Sequence, residues 1–366
     1  MKILAITNMY PKPETPALGV FVKQQIEGLR HIGLDVDVLV VERREKGMGS
    51  YFTMEEKLRH HIRQFDPDLV HIMYGGVLAE RVTRMNTDIP FVVSFCGSDL
   101  FGEHLSGSLR RIAGDCGVFA SYIAAWRADG IIVKSRNLYE ALPPTIDRSK
   151  VRIIPNGIDL ERFRALDRMD CRKTLGWSLN KFHVLFPTTN GDPVKRFALA
   201  RAAIEVANES GLNAEIHQLK GVAHEQVPVW LNASDVVLLT SLHEGSPNIV
   251  KEALGCNVPI VSVDVGDVRE RINGIEGCYI ALPDPCDLGV KLGLVKSMGK
   301  RIAGYGRVQE LSLEHISLSI RNFYQETIES RRRIVARQKV GLKALLDCSN
   351  WLLAQRKALR TQPINY

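Results

Sequence analysis

The chain has 366 residues, 45% of them hydrophobic and 24% charged, with a formal net charge of +7. This length fits about two globular domains, and this composition excludes a disordered or collagen-like chain. The charge is local: nine Lys or Arg and one Asp follow residue 330, whereas 39 basic and 40 acidic residues precede it, which argues against a nucleic-acid-binding body and points the basic end at an anionic surface.

Apolar runs alternate with amphipathic stretches from the first residue. Strands are expected at 2–7, 36–41, 69–73, 91–95, 130–134 and 151–154, and helices at 20–32, 54–65 and 108–126. The opening run 1–7 is too short for the core of a signal peptide and reads as a buried strand, so the expected location is cytoplasmic. Segment 160–180 is charged and lacks a strand period, and it marks the expected domain boundary. The alternation then restarts, with strands at 182–186, 214–219, 236–239, 259–262 and 277–280 and helices at 195–210, 227–232, 247–255 and 268–272. Continuous Val/Ile/Leu strands between helices imply parallel sheets covered on both faces. The expected fold class is therefore α/β, with two Rossmann-like domains at 1–160 and 161–310, a crossing helix at 311–330 and a basic amphipathic tail at 331–366.

Open parallel sheets bind ligands at the carboxyl ends of their strands, where the strand order reverses. Two such sheets facing each other enclose a cleft. No G-x-G-x-x-G follows a strand, so the cleft need not hold a dinucleotide. The seven cysteines form no C-x-x-C pair and read as reduced thiols. No His, Asp and Glu fall at metal-ligand spacing, and no metal is expected. No run reaches the roughly 18 apolar residues of a membrane span.

The segment from Val236 to Leu254 carries the most chemistry. A buried strand ends near Thr240, a polar loop follows, and a helix starts near Ser246 with Pro247 suited to its first turn. The amides at that helix end, Ser246 to Ile249 with Pro247 and Asn248 between them, favour an anion such as a diphosphate. Glu244 lies before this end. Glu252 lies two turns inside the helix, where a carboxylate can accept from the hydroxyls of a ribose.

Glu244 and Glu252, separated by the seven residues Gly-Ser-Pro-Asn-Ile-Val-Lys and followed by the apolar Pro259-Ile260-Val261 run, resemble the signature of glycosyltransferase family 4. That family is retaining and has the GT-B fold, with an acceptor-side first domain and a nucleotide-sugar-binding second domain. Pro155-Asn156-Gly157-Ile158-Asp159, Gly19-Val20-Phe21 and Gly266-Asp267-Val268 resemble further segments of it. The resemblance implies that Glu244 lies beside the donor sugar and acts with Lys195 in catalysis. It implies that Glu252 holds the ribose and that Gly19 lets backbone approach the donor. The family's arginine upstream of Lys195 is missing: Thr189, Asn190 or Asp192 stands there, and Arg196 is the substitute if its side chain turns toward the cleft. Cys96 stands where the family often has a histidine, and a thiol cannot supply an imidazole's hydrogen bonds or charge. Asp99 reads equally as an acceptor-side residue or a helix N-cap, and His243 as a donor contact or a structural hydrogen-bonder.

The implied function is retaining transfer of a sugar from a UDP- or GDP-sugar to an acceptor hydroxyl on a glycan or polyprenyl-linked carrier, of the bacterial polysaccharide type, with no cofactor and no nucleic-acid partner. Retention proceeds by same-face attack, which the resemblance favours, or through a covalent glycosyl–enzyme. Two other readings stay open: a GT-B nucleotide-sugar epimerase, which would turn over donor without acceptor, and a catalytically silent sugar-nucleotide-binding module. The tail from Arg331 reads as an amphipathic helix on an anionic membrane, making the chain peripheral at the inner face, or as a final helix packed on the body.

Overall fold

The computed structural model describes residues 1–15, 18–41, 54–85, 87–102, 108–187 and 193–360, with backbone alone for 108–113 and 337–360. The first lobe comprises β1 (Lys2–Thr7), α1 (Val20–His31), β2 (Asp35–Val40), α2 (Met54–Phe65), β3 (Leu69–Ile72), α3 (Gly76–Thr83), β4 (Phe91–Phe95), α4 (Ser98–Phe101), α5 (Ser108–Arg127), β5 (Gly130–Val133), α6 (Arg136–Ala141) and β6 (Val151–Ile153). After α7 (Arg168–Leu175), the second lobe follows as β7 (Phe182–Phe186), α8 (Phe197–Glu209), β8 (Ala214–Gln218), α9 (Val227–Ala233), β9 (Val236–Leu239), α10 (Asn248–Gly255), β10 (Ile260–Val263), α11 (Val268–Ile272), β11 (Tyr279–Ala281) and α12 (Pro285–Met298). A last helix, α13, spans Leu313–Arg360.

Both sheets are parallel, ordered β2-β1-β3-β4-β5-β6 and β11-β10-β9-β7-β8. The order reverses between β1 and β3 in the first and between β7 and β9 in the second, which are the places where open α/β sheets take ligands. Strands β3, β4, β5, β7, β9 and β10 are buried throughout, which is why each reads as a largely apolar run, broken only by His71, Ser94, His183 and Ser262.

Segment 160–180, expected to hold the domain boundary, contains α7. Its Arg172 is buried and donates from Nε to Ala233 O at 2.9 Å and from Nη2 to Asp235 Oδ2 at 2.6 Å. Asp235 also takes Arg168 at 2.9 Å, so the charges that read as solvated instead clamp α7 to the second lobe. Helix α8 begins at Phe197, two residues later than expected, and leaves Lys195 in a preceding 3-10 turn.

Helix α13 runs through the expected crossing segment and on through most of the tail. It starts beside the connecting segment, where Ile158 bridges Ser312, and then packs on the first lobe. Tyr324 is buried and its hydroxyl sits 2.5 Å from His71 Nδ1, while His71 Nε2 sits 2.7 Å from Ser94 Oγ. Burial depresses the His71 pKa to about 3, so the ring is neutral and serves as a hydrogen-bonding link from α13 to β3 and β4. Arg331, counted with the tail, pairs with Asp129 at 3.3 Å and donates to Thr87 O at 2.9 Å. The tail's remaining side chains, from 337 onward, lie outside the described residues, and among those described no helix is long and apolar enough to cross a membrane.

Candidate functional site

A cavity of about 470 Å³ opens between the lobes. Met9, Tyr74 and Cys96 reach it from the carboxyl ends of β1, β3 and β4, and Pro193 to Lys195 and His243 to Gly245 reach it from beyond β7 and β9. Each sheet thus offers the loops at its reversal point. The lobes meet at backbone level here. A Cβ on Gly245 would clash with the Cys96 carbonyl and lie 2.8 Å from Leu138, so only glycine permits the approach. Asn137 Nδ2 donates to Glu244 O at 2.9 Å across the same junction.

Glu244 and Lys195, 49 residues apart in sequence, form a direct ion pair on the cavity wall. Both side chains are partly exposed, 16% and 26%. Ser241 Oγ donates to the same Glu244 oxygen at 2.8 Å.

Pro247 is the N-cap of α10 rather than a member of its first turn, and Asn248 is the first helical residue. The leading amides of a helix have no intrahelical acceptor, so those of Asn248 and Ile249 face outward from the helix end. Asn248, Ile249 and Glu252 line a second cavity of about 220 Å³ together with Phe21, Leu219, Val222 and His224. His224 Nε2 sits 3.1 Å from Glu252 Oε1 and leaves the other carboxylate oxygen for a ligand. Phe21 lines both cavities, so they are neighbours.

Ser246 is buried and its hydroxyl donates to Asp267 Oδ2 at 2.8 Å, which Arg271 Nε also meets at 2.9 Å. Lys251 is fully buried between Ser246 Oγ at 3.2 Å and Asn156 O at 3.1 Å, and burial pulls its pKa down to about 7. Asn156 Nδ2 reaches Asn248 Oδ1 at 3.2 Å. The side chain of Ser246 therefore fixes the loop, and what it can offer a ligand is its backbone.

Three expected site residues act elsewhere. Arg196 does not line the cleft cavity: its Nε donates to Thr240 O at 2.5 Å and its Nη2 to Ser241 O at 3.1 Å, so the guanidinium holds the end of β9 in place. Gly19 heads α1 at φ +69°, and a Cβ there would strike the Met9 carbonyl, so its missing side chain serves a chain-to-chain approach. Asp99 is neither at the cavity nor an N-cap. Its buried carboxylate accepts from the amides of Gly97 at 2.8 Å, Cys96 at 3.0 Å and Gly75 at 3.0 Å, and so shapes the loop that carries Cys96. The Cys96 thiol is pushed up to about 12, first by burial and then by Asp99, so it is neutral and not a nucleophile. Thr189, Asn190 and Asp192 lie outside the described residues.

Sequence reasoning missed Tyr74, whose hydroxyl lies 2.7 Å from Ser98 Oγ on the cavity wall. It also missed Lys134, fully buried with Nζ 3.3 Å from Gln25 Oε1. Among the described residues one group has metal-ligand proximity, His183 with Glu215 and His217. Spacing did not reveal it because its members come from two strands paired in register.

Two parallel-sheet lobes with a cavity between their reversal points define the GT-B class of glycosyltransferase fold. Residues 18–162 match the family model Glycosyltransferase Family 4, and residues 189–293 match Glycosyl transferases group 1. The chain belongs to this family of glycosyltransferases. It is 26% identical to a putative teichuronic acid biosynthesis glycosyltransferase of Bacillus subtilis, with 73% of this chain and 82% of that protein covered. It is 24% identical to a D-inositol 3-phosphate glycosyltransferase of Catenulispora acidiphila, where it spans about half of that relative's length (53%) and 54% of this chain is covered. Its fold is similar to that of sucrose-phosphate synthase from Thermosynechococcus elongatus (TM-score 0.71, 16% identity, 90% of this chain and 100% of that one). It is also similar to that of HepE from Anabaena in complex with UDP and glucose (TM-score 0.61, 16% identity, 89% and 100%).

The close approach at Gly245 makes a direct prediction. Gly245→Ala forces the two loops apart and should cost about 1–3 kcal/mol of stability. Gly117→Ala, in α5 with open space around the added methyl, should instead gain about 0.5–1 kcal/mol. Urea denaturation of both variants checks this; equal stability of Gly245→Ala and wild type would mean that the loops do not meet.

Proposed function

We propose that this protein is a retaining hexosyltransferase that moves a sugar from a nucleoside-diphosphate sugar to an acceptor hydroxyl on a glycan or lipid-linked carrier. The observation that carries the reading is the order of groups along the cleft. Glu252 sits in the smaller cavity, the amides at the head of α10 come next, and Lys195 with Glu244 line the larger cavity. A nucleotide sugar has the same order: ribose, diphosphate, hexose. The complex of HepE with UDP and glucose, on the same fold, is consistent with a donor of this kind.

In this reading the ribose hydroxyls bind the Glu252 oxygen that His224 leaves open. Breaking the glycosidic bond builds positive charge on the sugar and leaves a diphosphate anion. Lys195 exchanges Glu244 for the diphosphate, and the Asn248 and Ile249 amides stabilise the same anion, so its charge is met by protein groups rather than by a divalent cation. Glu244, released, faces the cationic sugar. Among the described residues lining the larger cavity it is the one carboxylate, and the paired carboxylates of retaining hydrolases, about 5 Å apart, have no counterpart there. This favours attack on the same face as departure, with a diphosphate oxygen taking the acceptor's proton. The half-buried, neutral Cys96 thiol adds shape to the sugar pocket and takes no part in proton transfer.

The relative assigned to teichuronic acid biosynthesis supports a polysaccharide or lipid-linked acceptor. A basic helical end would hold such an acceptor's membrane close. Removing residues 337–366, which keeps the Arg331–Asp129 contact, should release the protein from vesicles containing anionic lipid; unchanged sedimentation with the vesicles would refute the membrane role.

Glu244→Gln keeps the size of the side chain and its bond from Ser241 while removing the charge. Transfer should fall about 10²–10³-fold with UDP or GDP binding retained, measured by sugar release and by calorimetry. Transfer at the wild-type rate would remove Glu244 from the chemistry.

A further inference from the structure

At the edge of the second lobe's sheet, β7 and the edge strand β8 place His183 opposite Glu215 in register. Glu215 and His217 are two apart on β8 and so share a face. The nitrogens His183 Nδ1 and His217 Nε2 lie 2.8 Å apart, and the donor atoms of His183, Glu215 and His217 all lie within 4.8 Å of one another. His183 Nε2 meets Ser178 O at 2.6 Å. A carbonyl only accepts, so Nε2 carries the proton and Nδ1 presents a bare lone pair. Trp177 stacks on the His217 ring with centroids 3.6 Å apart and planes within 10°. Two imidazoles are thus held in place, one by a hydrogen bond to its far nitrogen and one by stacking, which is how metal-binding histidines are oriented.

We propose that His183 Nδ1, His217 Nε2 and the Glu215 carboxylate form a structural site for a divalent transition-metal ion of the zinc class. One proton now sits between the two facing nitrogens. On binding, that proton leaves His217 Nε2 and, by exchange through water, the ring takes its single proton at Nδ1 instead, so that Nε2 is bare and the ion takes the place between the rings. Two imidazoles and a carboxylate suit zinc, with nitrogen ligands at about 2.0–2.1 Å and a water at the fourth position. Ligands of one tetrahedral ion lie about 3.3 Å apart, so the rings need separate by only about half an ångström. Lys181 now pairs with Glu215 at 2.9 Å; both side chains are more than 40% exposed, so the lysine can leave without stranding a buried charge. Burial lowers the pKa of both rings, that of His217 to about 4, so both are neutral at pH 7. None of these residues lines either cleft cavity, so the ion would fasten edge strand β8 and the Trp177 turn to the sheet and leave the transfer chemistry alone.

The test uses untagged full-length protein stripped with a chelator and titrated calorimetrically with zinc chloride, with thermal melts in parallel. One ion should bind per chain and raise the melting temperature. His217→Gln and Glu215→Gln, both at partly exposed positions, should each weaken binding at least about tenfold and abolish the thermal shift, with wild-type circular dichroism. Failure of wild type to take up one ion, or undiminished uptake by both variants, would overturn the proposal.

Discussion

An ion pair in the wrong place would be a liability; the one between Lys195 and Glu244 is placed where it can be exchanged. Its members are 26% and 16% exposed at the mouth of the interlobe cavity. A pair so close to water contributes on the order of 1 kcal/mol, which the double charge of a diphosphate can outbid. The remainder of the site keeps the pair from moving elsewhere. Arg196 fixes the end of β9, Ser241 holds the Glu244 oxygen, and the Asp267–Ser246–Lys251 chain anchors the loop from below.

The same loop is where the lobes touch. Lys251 and Asn248 of the second lobe bind Asn156 of the connecting segment, and Gly245 rests against Cys96 of the first lobe. Asp99, gathering three amides, gives the Cys96 loop the shape that this contact needs. Helix α13 adds a second tie through Tyr324 and His71. The two walls of the cavity are therefore set by backbone fits rather than by side chains that could adjust independently.

The sheets were legible in the sequence because buried parallel strands are largely apolar runs with helical patterns between them, and ten of the eleven strand positions fell within a residue of expectation at each end. The paired glutamates were legible because their spacing sits between two strands. Where side chains point was less legible. Arg196 looked like a phosphate ligand because it follows Lys195, yet its backbone φ of +50° turns it onto the Thr240 and Ser241 carbonyls. Asp99 looked like a cap or an acceptor contact, and three amides from two separate loops claimed it. Helix α7 was hidden because its charges pair with Asp235 instead of facing water. The His183, Glu215 and His217 group depended on strand register, which periodicity does not carry; the alternate Glu215-Ile216-His217 positions on a strand were the only local sign.

A crystal structure with bound UDP tests the central claim most directly. The account predicts the β-phosphate within hydrogen-bonding distance of both Lys195 Nζ and the Asn248–Ile249 amides, with Lys195 drawn off Glu244. A diphosphate seated elsewhere, with the Lys195–Glu244 pair intact, would contradict it.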